Sequence, residues 1–494
     1  MLGLFSAKPD HPLADAKEAK HALAELPAQE PAAAADSAAA WLESLVATDG
    51  FQLDHRLDLV LRIDEAVLPQ LRRLVRDYLT QPRLTRGVEH KLWQVNRGYW
   101  AWLVDAYEDV IARAAADPKA MEALKGHLAL LYARLLHAYG NRLKWDQFRY
   151  GPIDNGLWLA CGRSYLAAAQ AKLAQQAVTL YPNAASTPEA EYLKVLIFQA
   201  SSMDNLLPIE IEVAERLIAH LLPRFTLTDQ VRPENVYWFD AGKALPPTRL
   251  AKLPEITPTL RFFTTGQALE ALAALRAKTV QAGEVPADVN FGGQYAPRII
   301  LPVVDHLATC WAPKPPMRNH DRRRIKSRIG VIGGLKAMHQ KLLRDDRDGE
   351  AGESWLVDDI SMGGMGAQIS AHGSDWARIG AFLAMQPEGG SNWLVGVIRR
   401  FTRESDAVAA VGIETLSKAP RAAVGDSRGL QTEVILLDPL VAGDSVRVLL
   451  ADMAWEDDIP LQLNLDGQWY QLSPQGLLES GADCAVGRYK VISA

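Results

Sequence analysis

The sequence predicts an α+β multidomain protein: an N-terminal all-α helical bundle or hairpin stack, a six-stranded antiparallel β-barrel and a C-terminal β-rich extension. Its 494 residues are enough for roughly three domains. Through most of the first half, apolar residues recur at steps of three and four, as on a helix face. After residue 318 the period shifts to two, and Gly, Asp or Ser separates short runs, as in a small antiparallel barrel.

The first fifty residues are rich in alanine, proline and charge. Residues 32–40 hold little that could drive packing, so we expect 1–50 to be a partly disordered arm. Short helices are predicted within it near 11–26 and 35–48.

A helical domain is predicted over 51–312. Leu57, Val60, Leu61 and Val67 lie on one face of its first helix. Further helices are predicted near 86–115, 117–143, 154–181, 187–204, 208–222, 266–281 and 295–311. Prolines interrupt residues 224–262, which we interpret as a connection with short strands. Consecutive helices with short connections predict antiparallel packing.

Large aromatic residues cluster in this domain. They are Trp93, Tyr99, Trp100, Trp102, Trp145, Phe148, Tyr150 and Trp158. Packing in the domain interior is the favoured interpretation, because large aromatic side chains dominate protein cores. A groove for a ligand or partner is the alternative.

The second half is predicted to consist of short strands. A basic linker (313–328) leads into the barrel (318–420), and the β-rich extension follows (421–494). The barrel strands are predicted at 328–342, 354–360, 364–370, 378–386, 392–401 and 407–416. Those of the extension are predicted at 431–437, 445–451, 459–465, 468–472 and 486–492, with turns at 443–444 and 466–467.

Composition limits the function classes. A net charge of −6 and a pI near 6.0 argue against a chain that coats nucleic acid throughout, so any basic site is local. Cys161, Cys310 and Cys484 are too few and too widely spaced for a disulfide framework or a zinc site. The sequence lacks a basic, apolar leader and an apolar run of membrane-spanning length. We therefore expect a cytoplasmic protein without a membrane span.

Sequence motifs of catalytic sites are incomplete or missing in this chain. Residues 425–429 fit Gly-x-Ser-x-Gly, but a strand follows the serine and no histidine lies downstream of it, so a hydrolase elbow is disfavoured. A phosphate-binding loop and paired histidines at metal-ligand spacing are also missing from the sequence. We expect no catalytic residues, no metal and no cofactor, and interpret the chain as a non-enzymatic binding protein.

A basic run begins the predicted barrel. Its seven cations within fifteen residues are Lys314, Arg318, Arg322, Arg323, Arg324, Lys326 and Arg328. A solvated linker or a non-specific nucleic-acid patch is one interpretation. The alternative is a site for a phosphate-bearing guanine ligand, because guanidinium groups bind phosphate bidentately and pair with guanine O6 and N7.

A second polar segment lies between two predicted strands. Asp359 can accept hydrogen bonds from guanine N1–H and N2–H₂, and Ser361 can donate or accept. Gly363 and Gly364 allow close backbone approach or a positive φ. An ordinary strand–turn–strand also favours Asp, Ser and Gly, so this segment alone decides nothing.

A third charged segment is acidic and comprises Asp345, Asp346, Asp348, Glu350 and Glu353. We interpret it as a solvated hairpin tip. The alternative is an electrostatic lid that pairs with the arginines when no ligand is bound.

The basic run and the Asp-Ser-Gly segment together resemble the PilZ domain family, whose pattern is Arg-Arg-x-x-x-Arg followed by Asp/Asn-x-Ser-x-x-Gly. The matching positions are Arg323, Arg324 and Arg328, then Asp359, Ser361 and Gly364. The later segments 393–399 and 411–415 look like the family's later strands. The resemblance covers residues 318–418; the family's closing helix is not evident, and residues 419–494 are predicted to be β instead.

The resemblance implies binding of the bacterial second messenger cyclic di-GMP, which carries two phosphates and two guanines. Arg324 and Arg328, assisted by Arg323, would bind phosphate and guanine. Asp359 and Ser361 would bind a guanine edge, and Gly364 would keep the floor of the site clear; Gly363 belongs to the same binding segment. We expect a receptor that transmits ligand binding to a helical output domain, which contacts an unidentified protein partner. The alternative is a scaffold whose barrel docks a protein and whose basic run contacts nucleic acid or an acidic surface.

Overall fold

A computed structural model describes residues 9–27, 29–80, 84–182, 184–289, 295–315, 321–344, 352–371, 373–374, 376–481 and 483–493. The predictions that concern Arg318 and the acidic residues 345–350 therefore lie outside the described residues. The chain divides into two compact units. One holds residues up to 149, 153–203 and 207–316, and the other holds 150–152, 204–206 and the chain from 317 onward.

The first unit is mainly helical. Its helices are α1 (Ala16–Ala24), α2 (Pro31–Ala47), α3 (Leu53–Thr80), α4 (Arg86–Ala116), α5 (Pro118–Leu124), α6 (Leu128–Gln147), α7 (Gly156–Gln170), α8 (Pro188–Ala200), α9 (Pro208–Leu221), α10 (Gly266–Ala282) and α11 (Pro297–Trp311). A capped start fixes α8, where the Thr187 hydroxyl accepts a hydrogen bond from the Ala190 amide at 3.0 Å. Within the described ranges, no helix is both long and apolar enough to cross a bilayer.

Two small sheets complete this unit. One is the hairpin of β1 (Val178–Tyr181) and β2 (Ala184–Ser186), and the other has the strand order β3 (Thr226–Thr228), β6 (Leu260–Thr264), β4 (Asn235–Asp240), β5 (Thr248–Arg249). The predicted helix 154–181 is therefore too long. The helix ends at Gln170, and Lys172 shortly after it has a left-handed φ of 60°. Residues 178–181, which include the β-branched Val178 and Thr179, pair as a strand instead.

Burial in the helical unit concerns two expectations from the sequence, one for the alanine-rich segment and one for the clustered aromatic residues. Within the alanine-rich segment, Ala34, Ala35 and Ala38 are fully buried on α2, so small residues here allow close helix packing. Interior packing is confirmed for five of the clustered aromatic residues. These are Tyr99, Trp100, Trp145, Phe148 and Trp158. The remaining three are only partly buried.

The second unit contains two closed six-stranded antiparallel barrels, which confirms the predicted fold class and shows that the extension is itself a barrel. The first barrel consists of β7 (Arg323–Gly333), β8 (Glu353–Ser361), β9 (Gly364–Ser370), β10 (Phe382–Pro387), β11 (Leu394–Arg403) and β12 (Val408–Ser417). Its strands close in the order β10-β11-β12-β9-β8-β7. Alternate residues of these strands fill its core, among them Ile329, Trp355, Val357, Met365 and Ile413.

A helix interrupts the first predicted strand. The expected strand 328–342 ends at Gly333, and α12 (Leu335–Arg344) follows Gly334, whose φ is 85°. Met338 and His339 are buried on this helix, and His339 Nε2 lies 2.7 Å from the Ala423 carbonyl oxygen. The strand prediction was wrong here because the period-2 pattern of the preceding strand hides a helix of only ten residues that begins directly after it.

The second barrel consists of β13 (Arg421–Ser427), β14 (Leu430–Leu436), β15 (Ser445–Ala451), β16 (Leu461–Leu465), β17 (Gln468–Ser480) and β18 (Cys484–Ser493), closed in the order β13-β14-β15-β18-β17-β16. Residues Asp466 and Gly467 form the predicted hairpin turn, both with positive φ. Ser427 lies at the end of β13 before a two-residue turn and another strand. The Gly-x-Ser-x-Gly segment is therefore part of a β-hairpin.

An apolar layer, which we call the seam, joins the outer faces of the two barrels. Its buried members from the first barrel are Phe382, Ala384, Val395 and Val397. Those from the second are Ile435, Leu437, Leu449, Cys484 and Val486, and α12 contributes Met338. Since these side chains point away from each barrel's own core, the two barrels and α12 share one additional core.

Candidate functional site

Two strands bring the two polar segments together. β7 pairs with β8 in antiparallel register, with Arg324 opposite Asp359 and Arg323 opposite Ile360. Directly opposed residues in such a pair have their Cβ atoms about 5 Å apart. Arg324 and Asp359 are thus neighbours on one sheet although they are distant in the sequence.

Strand alternation points the arginines outward. Ile325 and Ile329 pack on the barrel core, while Arg324, Lys326 and Arg328, which alternate with the inward positions, are exposed. Arg323 is also exposed, and neither its guanidinium nor that of Arg324 makes an ion pair or hydrogen bond within the described part of the chain. These two charges are available to an anion.

Arg328 lies farther along the strand. Arg324 opposes Asp359 and Arg328 opposes Leu356, three residues apart on β8, which corresponds to about 10 Å of strand. Its Nη1 donates to Ser354 Oγ at 3.3 Å, and it borders an open cavity of about 520 Å³. Ser354 and the turn residues 386–391 also line this cavity. The arginines therefore form a line along the barrel rather than one compact cluster.

Asp359 is paired with an arginine that the sequence pattern did not single out as a site residue. Arg322 Nη1 donates to Asp359 Oδ2 at 3.2 Å and lies 3.1 Å from Oδ1. The Asp359 side chain is 27% exposed, and its Oδ1 accepts no hydrogen bond within the described residues. Oδ1 is therefore an acceptor without a hydrogen bond, but it is enclosed and lies against Arg322, so a ligand reaches it only when Arg322 moves.

Ser361 and the two glycines form the hairpin between β8 and β9. Ser361 Oγ donates to the Gly364 carbonyl at 3.1 Å, so its hydroxyl stabilises the turn. Neither Gly363 nor Gly364 adopts a positive φ. A Cβ at Gly364 would lie 2.1 Å from the Ile413 carbonyl oxygen. Close packing against β12 thus requires a glycine at 364 whether or not a ligand binds.

Two further glycines lie beside Asp359. The register across the sheet opposes Arg324 to Asp359, Asp359 to Gly366, Gly366 to Gly412, and Gly412 to Arg400. All five positions point outward, because the residues flanking Gly366 and Gly412 fill the barrel core. We call Gly366 and Gly412 the glycine strip.

The glycine strip lies beneath an acidic and a basic side chain: Gly366 is buried under the Asp359 carboxylate, and Gly412 is half-buried beside the Arg400 side chain. Three strand spacings separate Asp359 from Arg400, which is about 14 Å. A flat ring can lie on the strip, with its polar edge toward Asp359, once the Asp359 and Arg400 side chains turn aside. A Cβ at Gly366 would lie 3.1 Å from an Asp359 carboxylate oxygen, so glycine at 366 also leaves room for that carboxylate.

Sequence reasoning missed Arg322, Gly366 and Gly412 as site residues. Arg322 lies inside the basic run, where charge alone does not distinguish one arginine from the next. The two glycines lie at alternate, outward positions of predicted strands, and glycine in a strand interior often marks close approach of another molecule. That pattern was visible in the sequence, but its alignment into one row depends on the strand register.

The site carries no metal-ligand cluster. No group of three or more His, Cys, Asp or Glu side chains within the described ranges is arranged to hold a metal ion.

The helical unit resembles a known protein family. Residues 17–233 match the family model described as the cyclic-di-GMP receptor FimW, N-terminal domain. The matched segment precedes both barrels and covers α1 to α9. No curated protein matches the chain.

Proposed function

We propose that the protein is a receptor for cyclic di-GMP and that the first barrel is a PilZ-type ligand-binding domain. The carrying observation is the register that opposes Arg324 to Asp359 on the outer face of that barrel. The match of residues 17–233 to a domain model named for a cyclic-di-GMP receptor supports the same ligand independently, because it covers a different part of the chain.

The proposed contacts follow from the chemistry of the ligand. Arg323 and Arg324 bind one phosphate through charge-assisted hydrogen bonds, since their guanidinium groups have no competing partner in the described residues. Arg328 binds the second phosphate or a guanine edge from the far end of the line. Its weak 3.3 Å bond to Ser354 is readily exchanged for a charged acceptor.

One guanine lies on the glycine strip. Asp359 then accepts from the guanine N1–H and N2–H₂ groups, using the Oδ1 that is otherwise without a hydrogen-bond partner. Ser361 retains acceptor capacity beside it while its hydroxyl proton serves the turn. Gly363 and Gly364 contribute the narrow hairpin that holds Ser361 and, through it, the end of β8 in place.

Arg322 competes with the ligand for Asp359. A guanidinium presents two adjacent N–H donors, and so does the N1–H/N2–H₂ edge of guanine. We propose that guanine displaces Arg322 from Asp359. The arginine motif also lies at the start of the first barrel, directly after the chain leaves the helical unit. Ligand binding to the motif arginines would therefore act on the segment that connects the barrel to the proposed output domain.

A binding titration tests the proposal. The full chain is titrated calorimetrically with cyclic di-GMP, cyclic di-AMP and GMP, at low and at elevated salt. We expect saturable binding with a preference for cyclic di-GMP that persists in salt. Arg324→Ala and Arg328→Ala should each lose at least tenfold in affinity, because each removes a charged hydrogen bond worth about 1.5–3 kcal/mol.

Arg488→Ala is the matched control, since Arg488 is an exposed strand arginine of the second barrel. It should bind like the parent chain. Unchanged affinity in both Arg324→Ala and Arg328→Ala would refute the site. Binding that ignores the base and collapses with salt would instead indicate a non-specific polyanion surface, as the scaffold alternative requires.

A further inference from the structure

The helical unit contains a large cavity that the cyclic di-GMP site does not use. Its volume is about 940 Å³. Its walls come from α3, α4, α6, α8, α9, the β1–β2 hairpin and Tyr295. Small-molecule sites typically occupy about 300–1,000 Å³. The cavity therefore has the size of a ligand site.

A buried network of charges forms one side of the cavity. Lys144 Nζ lies 3.0 Å from Glu212 Oε2 and 3.7 Å from Glu215 Oε2. Lys194 pairs with Glu215 on the same side, and Arg216 Nε lies 2.8 Å from Glu212 Oε1. Lys144 and Glu212 are 6% and 3% exposed. Each of these carboxylates thus contacts two cations.

Such a network contributes little net stability. Taking charges out of water costs several kcal/mol per ion, and buried ion pairs are often no more stabilising than apolar residues of similar volume. Buried charges that line a cavity are therefore candidates for function. His137 and Glu191 extend the network, with His137 Nδ1 3.0 Å from Glu191 Oε2.

Cations outnumber carboxylates around the cavity. Among the described lining residues the cations are Arg72, Arg73, Arg76, Lys144, Lys194 and Arg216, and the carboxylates are Glu191, Glu212 and Glu215. Arg72 and Arg76 are exposed one helical turn apart on α3, and neither makes an ion pair within the described part of the chain. The cavity is thus positive in a chain whose net charge is −6.

An apolar wall faces the charged side. Leu68, Leu71, Val75 and Leu79 follow one face of α3 at steps of three and four, and all four line the cavity. Leu180 and Ile209 border it from β1 and α9. A ligand that satisfies both sides has an apolar or aromatic body and at least one anionic group.

We propose that this cavity binds a small organic anion, with its phosphate or carboxylate group at Arg72 and Arg76 and its apolar body against α3. Arg72 and Arg76 attract and orient the anion, and the Lys144 and Lys194 ammonium groups supply positive potential deeper in the cavity. The helical unit would then respond to a ligand of its own, separately from the barrel.

The test uses 8-anilinonaphthalene-1-sulfonate, an aromatic anion whose fluorescence rises on transfer to an apolar site, with the full chain. We expect saturable binding of one probe molecule, displaced by either GMP or laurate but not by inorganic phosphate alone. Displacement by GMP identifies the phosphate source, and displacement by laurate identifies the carboxylate source. The double variant Arg72→Glu/Arg76→Glu should weaken probe binding by tenfold or more, about the loss of one charged hydrogen bond.

Arg163→Glu is the matched control, because Arg163 is an exposed arginine on α7 outside the cavity. It should bind the probe normally. An equal loss in Arg163→Glu, or no loss in the double variant, would overturn the proposal. Cyclic di-GMP titration of the double variant should match the parent chain, which separates failure of this site from failure of the barrel site.

Discussion

Arg322 and Asp359 form an ion pair on the outer face of the first barrel, with Nη1 3.1 Å from Oδ1. The arginine belongs to the residues that precede β7, and the aspartate belongs to β8. The Asp359 carboxylate, which suits the N1–H/N2–H₂ edge of guanine, is thus already in contact with the Arg322 guanidinium, which presents the same pattern of two adjacent donors. Ligand binding at Asp359 must therefore break an existing contact.

We predict that Arg322→Ala tightens cyclic di-GMP binding. Exposed ion pairs are worth about 0–1 kcal/mol, so removing this competitor should raise affinity by up to roughly fivefold. Calorimetric titration measures the change. Arg421→Ala is the control, because it breaks another exposed Arg–Asp pair, with Asp466 at 2.6 Å. Weaker binding by Arg322→Ala would show that Arg322 contributes more as a phosphate ligand than it costs as a competitor.

We predict that Asp359→Ala reduces the preference for cyclic di-GMP over cyclic di-AMP by about tenfold or more, because it removes a charged acceptor for guanine donors. Parallel titrations with both dinucleotides measure this ratio. The double variant Arg322→Ala/Asp359→Ala separates the loss of the acceptor from the release of Arg322. If both ligands lose affinity equally, Asp359 has no part in base selection.

We predict that Gly412→Leu abolishes measurable cyclic di-GMP binding while the barrel remains folded. Leucine projects over the glycine strip, and strands accept such side chains on an outer face. Gly412→Ala should have a smaller effect, because its Cβ would lie 3.2 Å from Arg400 Cβ and needs only a slight shift. Titration and thermal unfolding report on binding and folding.

Ala410→Leu is the matched control, since Ala410 lies two residues away on the same face of β12. It should retain most of the affinity. Equal losses in Gly412→Leu and Ala410→Leu would mean that the whole face, rather than the strip, contacts the ligand.

We predict that the helical unit loses stability in acid partly through Glu215. Burial alone would raise the pKa of Glu215, but the ammonium groups of Lys194 and Lys144 hold it far below its ordinary value of 4.5. The unfolded chain therefore binds more protons than the folded chain in acid, and stability present above pH 4.5 falls as the pH drops. Thermal unfolding between pH 6 and pH 2 measures this fall.

Glu215→Gln should melt earlier than the parent chain at pH 7 and show a shallower decline toward pH 2, because it has no carboxylate to protonate. The exposed Glu43 on α2 provides a control, and Glu43→Gln should follow the parent curve. Parallel curves for Glu215→Gln and the parent chain would exclude Glu215 as an acid-sensitive group.

The sequence predicted the elements that depend on local pattern. The neighbourhood of Arg324 and Asp359 was predictable because both segments lie at the ends of strands that are consecutive in the β-sheet pattern. The helix at 335–344 was not recognised, although Leu335, Met338 and Leu342 have helical spacing, because the preceding strand continues directly into it. β13 was missed because its short run of apolar residues ends in a glycine-rich turn.

Contacts that depend on strand register could not be predicted from the sequence. The alignment of Asp359, Gly366, Gly412 and Arg400 in one row requires the pairing of four strands, a bulge next to Asp359 in the β8–β9 pair and a bulge next to Arg400 in the β11–β12 pair. One residue of slip would turn the glycines inward. The choice of Arg322 as the partner of Asp359 likewise depends on where β7 begins.

The seam has a practical consequence for dissecting this protein. A fragment that stops at residue 420 would leave Phe382, Val395 and Val397 facing water, and would remove the surface against which Met338 is buried. Contiguous apolar surface of this kind favours association and precipitation. The smallest piece that retains the arginine line in a soluble form is therefore both barrels together, and they should unfold in a single transition.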